Sequence, residues 1–558
     1  MAWGQNTSVR AQAQARQHAA LMAEAFYEVL LGELNARDNN PGAAFSLLLD
    51  AAGKTNDVRL YQRSVDLALL SRSGEAALQA ARAWKSANPG SRTANLYILQ
   101  ILLALNRVGD SLEALREEVA LTPNNEKNLT LSHLHRHLGQ VVDKKKAAAV
   151  LEQAIAPYLQ SPDTAAAAWS SVGRVRLAAN DAPGALEAAR KAYVAEPTAL
   201  APGLLALDLL EKNVPGAMAL LEMSLEKAEF PELRLGLIQW QLENKLYAPA
   251  RSQLERMTQA QPQVAEAWLM LGLLHADENR LPDAKDALQR YLDVVKDRSP
   301  PPQRGMAQAY LGLAQVAEKL RDETTTLAWL EKIEHPDFLL QAQSRRAQLL
   351  ARQGKLEEAR MLIQNLSVNN AGQERGKLLA EVKLLRDNKQ YLQAHALLSQ
   401  AVLREPQDND LLYELAMIDE KLNRMDDMEL KLRELIKRQP NLPHAYNALG
   451  YSLADRNVRL VEAKQLITRA LELAPQDPSI TDSLGWVEFR LGNFPNALVL
   501  LKKAYANQAD AEIAAHMGEV LWQLNQRDEA RSIWREGMQK DADNETLRET
   551  LKRLKVDL

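Results

Sequence analysis

PHAYNALGYSLADRNVRLVEAKQLITRALELAPQDP, residues 443–478, reads as two helices joined by a short turn. Tyr446, Leu449 and Leu453 set large apolar side chains at helical spacing, with the small Gly450 among them. Ala463, Ile467 and Ala470 give the second helix its inner face, and Pro475 ends it. A glycine inside an exposed helix costs about 1 kcal/mol against alanine, so it is kept where a neighbouring helix needs the space of a missing side chain. Gly450 and Ala470 are therefore expected contact points between helices.

Working outward, the same pattern recurs with a period near that of this stretch. Pro406, Pro440 and Pro475 lie 34 and 35 residues apart, and Pro89, Pro123 and Pro157 lie 34 apart, as do Pro197 and Pro231. Pro157 sits inside an apparent helix, LEQAIAPYLQ, and the real break is expected at Ser161-Pro162. Trp169, Gly173, Ala185 and Ala189 form another unit, and so do Trp268, Gly272, Ala284 and Leu288. The last units carry Leu484, Gly485, Ala497 and Ala504, then Met517, Gly518, Ala530 and Trp534. A helix-turn-helix unit of about 34 residues with these small and large positions resembles the tetratricopeptide repeat. The expected fold is all-α: a monomeric, elongated, right-handed superhelical solenoid of about 15 helix pairs, closed by a charged C-terminal capping helix, NETLRETLKRLKVDL.

The chain divides, on this reading, into a disordered tail at 1–8, a long helix with a first helix pair at 9–57, and a repeat array at 58–298. A proline-rich break at 299–302 precedes a second array at 303–558. Consecutive prolines cannot occupy a helix interior, which makes Ser299 to Pro302 the expected boundary. In the first helix Met22, Phe26, Val29, Leu30 and Leu34 form an apolar stripe expected to pack, while the alanine-rich half before it projects.

Composition narrows function. The net charge of −4 leaves no large basic field for nucleic acid, and the absence of cysteine excludes disulfides, thiolate metal sites and cysteine nucleophiles. Apolar runs such as 204–210 are far shorter than the roughly 18 residues of a spanning helix. The opening residues lack the basic and apolar regions of a signal peptide. No HExxH, GxxxxGKS, GxxxxGKT, GxGxxG or GxSxG occurs. No enzyme activity, cofactor or metal is therefore expected. His133 and His137 are four apart, as two zinc ligands on a helix are, yet no further ligand shares their face; solvated helix histidines are the expectation. Lys144 to Lys146 is read as a solvated turn.

Repeat geometry instead points to partners that are proteins. It aims Asn447, Tyr451, Asp482, Trp486, Phe489, His516 and Trp522 at the inner surface of the last units. Aromatics in a row mark a peptide-binding track. On the other reading, Trp486 and Trp522 pack between helices. Repeats that grip a C-terminal carboxylate present Lys and Arg at such positions, whereas Asn447, Tyr451, Asp482 and Glu519 stand here, which argues against that clamp. At the other end, Ala11, Ala15 and Ala19 continue through Met22 and Phe26 as a narrow stripe. It is read either as a helix that docks a partner or as a frayed linker.

The segments FYEVLLGEL (26–34) and RLYQRSVDLAL (59–69), within residues 23–84, resemble the amino-terminal part of bacterial envelope repeat proteins. They are most similar to the lipoprotein adaptors of a periplasmic carboxyl-terminal processing protease. That resemblance implies a non-enzymatic spiral that recruits the protease and presents protein substrates, typically cell-wall hydrolases. It also implies a periplasmic, outer-membrane-associated location, a cytoplasmic one being the alternative. Such lipoproteins carry an acylated Cys, which this sequence lacks; either the anchor was trimmed with the signal or this relative has none. A structural scaffold for envelope assembly or polysaccharide export is the competing reading.

Overall fold

A computed structural model describes the backbone of residues 2–558 and side chains from Gln17 onward. Among the described residues there are thirty-two α-helices, three short 3-10 turns and no strand. They fall into two compact units, Met1–Ser299 and Pro300–Leu558. Within each, successive helices pair, and the first helix of one pair also packs on the first helix of the next; Pro443–Asp455 thus meets both Leu460–Leu473 and Pro478–Arg490.

The quoted stretch folds as its residues dictate. Pro443 and Pro478 lie in the first turns of their helices, where the missing N–H has no intrahelical role. Asp477 and Asp510 cap the next two first helices by accepting backbone N–H groups. Gly450 is a true contact point: a Cβ there would come within 2.6 Å of Ile467 Cγ1 and 2.9 Å of the Ala463 carbonyl oxygen. Gly450→Val is accordingly expected to destabilise the C-terminal unit by about 1–3 kcal/mol in urea unfolding, the usual penalty for overpacking. Unchanged stability would mean that the helices are not in this register.

Turns inside the pairs share a device that the proline spacing does not reveal. Asn180, Asn213, Asn279, Asn423, Asn457 and Asn525 all adopt the left-handed conformation just past a helix end. Asparagine tolerates it better than other side chains with a Cβ, so it closes these helices much as glycine does.

Several expectations need correction. The first helix runs Ala2–Arg37, helical upstream of the start expected at residue 9. Its packed face is also different: Ala25, Glu28 and Gly32 are buried, while Phe26 is 72% exposed and Leu30 and Leu34 are exposed too. Close approach to the Pro41–Thr55 helix selects small residues, since a Cβ on Gly32 would meet Leu48 Cγ at 2.8 Å. Large side chains therefore turn outward. Pro157 does not lie within a continuous helix; Lys144–Ala154 stops and Pro157 opens a separate short turn, Ala156–Leu159. At the other end Glu545–Leu554 covers the last apolar face with Leu547, and Arg553 reaches back to Glu519 at 2.6 Å.

Candidate protein-binding grooves

The first helices of the last units, Asn409–Lys421, Pro443–Asp455, Pro478–Arg490 and Ala511–Gln523, line a cleft of ≈ 900 Å³ within the C-terminal unit, together with Glu545–Leu554. Seven carboxylates border it: Glu420, Asp455, Asp482, Asp510, Glu512, Glu545 and Glu549. Lys421 and His444 are the basic side chains in the lining. Asp510 is engaged as a helix cap, Asp482 faces His516 and Glu512 accepts from Tyr451, while Glu420, Asp455, Glu545 and Glu549 leave a negative concavity. Burial raises the Glu420 carboxyl above its ordinary range; Lys421 opposes the shift, and the charges of Asp455 and Glu512 add to it. Carboxylates gathered in one concavity favour a cationic guest, which would relieve their repulsion.

Of the residues expected on this surface, Asn447, Tyr451 and Asp482 line the cleft. The rest do not. Trp486 is only 4% exposed, stacked on Phe489 at 5.0 Å and on the His516 ring at 4.2 Å. Phe489 also packs against Phe494, and Trp522 is pressed between Trp534 and the Arg527 guanidinium, 3.7 Å from its ring. The aromatic track is thus largely a packing seam between repeats. Glu519, too, is buried and paired with Arg553 rather than offered to a ligand.

Beneath the cleft runs a buried polar chain. His516 Nδ1 lies 3.0 Å from both Asp482 oxygens, its Nε2 lies 3.4 Å from Tyr451 Oη, and Tyr451 donates to Glu512 Oε1 at 3.1 Å. Burial opposes charge on His516, but the Asp482 carboxylate outweighs it, aided by Glu512 and Glu519, so its pKa is raised above 6.5. Burial, with the charges of Glu512, Asp455 and Asp482, pushes Tyr451 well above the ordinary phenol range, which keeps it a hydrogen-bond donor.

Two further surfaces belong to the N-terminal unit. Met22, Phe26, Val29, Leu60, Arg59 and Arg63 line a groove of ≈ 520 Å³ beside the first helix. Ala19 is exposed on that helix, while Ala11 and Ala15 lie outside the described residues. A second cleft, of ≈ 690 Å³, is bordered by His133, His135, Arg136, Arg174 and several leucines. The histidines are half-buried rather than solvated. Burial, with Arg174 close by, lowers His135 to about 4 and also depresses His133. Burial lowers His137 as well, opposed by the charge of Glu118 and aided by that of Arg92. Among the described residues no group of three or more His, Cys, Asp or Glu side chains is placed to hold a metal ion. No described helix is long and apolar enough to cross a membrane.

Residues 233–301 match a tetratricopeptide-repeat family model. The chain is similar to the TPR repeat-containing protein PA4667 of Pseudomonas aeruginosa, with 35% identity over 211 residues. That match covers 38% of this chain and 36% of the relative's length. Among solved structures, a thermophilic TPR protein of Thermus thermophilus gives a TM-score of 0.30 at 23% identity over 32% of this chain and 98% of that one. A tetratricopeptide repeat protein from Parabacteroides merdae gives 0.35 at 14% identity over 44% and 98%. From its stacked helix pairs and the small residues at their contacts, this chain is all-α and built of helix pairs stacked in sequence, with a tetratricopeptide repeat in the matched segment, residues 233–301.

Proposed function

We propose that this scaffold is a periplasmic adaptor that holds a carboxyl-terminal processing protease and presents protein substrates, such as cell-wall hydrolases, for degradation. Two binding surfaces in different units support an adaptor better than a single-partner scaffold. The observation that carries the reading is the acidic cleft, which suits a positively charged segment of a client protein. The exposed face of the first helix suits the protease. Phe26, Tyr27, Leu30 and Leu34 leave apolar area in water there, uncovered among the described residues, and a helix-in-groove contact would cover it. The resemblance of the 26–34 and 59–69 segments to protease adaptors points the same way. The chain itself supplies no chemistry in this account.

Capture on the full chain with a protease-dead trap should recover both a protease and a protein substrate. Recovery of envelope-assembly components without a protease would contradict the adaptor reading. Phe26→Ala should weaken protease capture about tenfold or more and leave client capture and stability intact, as expected for an exposed anchor side chain. Unchanged protease affinity would remove the first helix from the interface.

A further inference from the structure

Hydrogen-bond direction in the buried chain assigns the state of His516. Asp482 is an acceptor at Nδ1. Tyr451 gives its one proton to Glu512, so toward Nε2 it too presents an oxygen lone pair. Both ring nitrogens therefore face acceptors, and only the doubly protonated imidazolium satisfies both. The ring is 1% exposed and lies flat against Trp486, an indole face that also favours a cation. Around it stand Tyr451 on one neighbouring helix and Asp482 on another, and the charge of Asp455 acts on Tyr451. Glu512 and Glu519 share its own helix, and Arg553 compensates Glu519 from the terminal one.

Removing one proton rearranges this chain in a definite way. A neutral ring that still donates to Asp482 offers a lone pair at Nε2, and the Tyr451 hydroxyl turns to donate there. Glu512 then loses its donor, and Asp482 loses its counter-charge. Both side chains line the acidic cleft. We propose that the proton on His516 sets the cleft's grip on a cationic segment: its loss frees Glu512 and leaves Asp482 uncompensated, so binding tightens and, reciprocally, binding releases the proton. The inference rests on the reading of the cleft as a client site and adds its regulation. A raised pKa for His516 puts the switch above the ordinary histidine range rather than below it.

The test uses the full chain and an N-acetylated, C-amidated arginine–serine peptide, which carries no group that titrates near neutrality. Isothermal titration calorimetry between about pH 6 and about pH 9 should show affinity rising about fivefold, as expected for one unit charge roughly 8 Å away at intermediate dielectric. In buffers of different ionisation enthalpy, proton release should accompany binding in the middle of that range. In a His444→Gln background, which removes the histidine of the cleft lining, His516→Gln should bind with flat pH dependence and no proton release. Should that variant fail to fold, histidine-selective nitrogen NMR of the unsubstituted chain decides, because peptide must lower the His516 pKa. Peptide binding with no proton release and no shift of His516 would overturn the inference alone. No peptide binding at any pH would overturn the cleft reading and the inference together.

Discussion

Trp486→Ala is expected to destabilise the C-terminal unit by about 3–5 kcal/mol, the range for deleting a buried large aromatic. The ring is 4% exposed and stacked on both Phe489 and His516, with the Arg490 guanidinium 5.2 Å from it. Truncation would open a cavity between two neighbouring first helices, Pro478–Arg490 and Ala511–Gln523, whose backbones are held by other contacts and cannot close it fully. Its Nε1 has no hydrogen-bond partner among the described residues, so Trp486→Phe should cost far less. Urea unfolding, with hydrogen exchange in those two helices, measures both. If Trp486→Ala left stability unchanged and abolished client binding, the ring would be an anchor for a partner and not part of the seam.

Asp482→Ala should be comparably harmful, and its cost should depend on pH with a defined sign. Removing one partner of a buried ion pair typically costs about 3–5 kcal/mol because the other charge is stranded. Asp482 is 5% and His516 1% exposed, which puts them in that class. The folded pKa of His516 is raised above 6.5, so the pair's contribution is full below that value and is lost as pH rises through the folded pKa. In the variant, burial without the carboxylate depresses the histidine, and acidification then destabilises the fold. The difference between the two chains should therefore be larger at about pH 5.5 than at about pH 8.5. Equal differences at both would show that His516 is neutral in the folded chain.

How much of this was legible in the sequence differs from residue to residue. Gly450, Ala463 and Ile467 announced the helix contact because a missing side chain inside a helix has few other uses. The positions facing inward could also be counted from the repeat, which found Asn447, Tyr451 and Asp482. Counting could not tell which inward side chains stay open. Trp486 and His516 are covered by each other across a repeat boundary, a contact 30 residues apart that no local pattern encodes. The first helix misled for a related reason. A stripe of Phe26, Leu30 and Leu34 looks like a core face, yet the face turned to the neighbouring helix is Ala25, Glu28 and Gly32, where Glu28 pairs with Lys54 and Gly32 has no room for a Cβ. The acidic cleft was missed because its carboxylates are scattered from Glu420 to Glu549, and in a chain of net charge −4 only folding gathers them. Acidic residues at every inward position of the last units would have been the signal.

The direct test is whether that gathered charge binds a cationic segment. Titrating the capped arginine–serine peptide against the full chain and against Glu420→Gln, Glu545→Gln, Glu549→Gln combined leaves the hydrogen bonds of the His516 network untouched while removing three charges from the cleft. The account predicts binding at low ionic strength that weakens by about tenfold or more in the triple variant and fades with added salt in the parent chain. Equal affinity of the two chains for the peptide would contradict it.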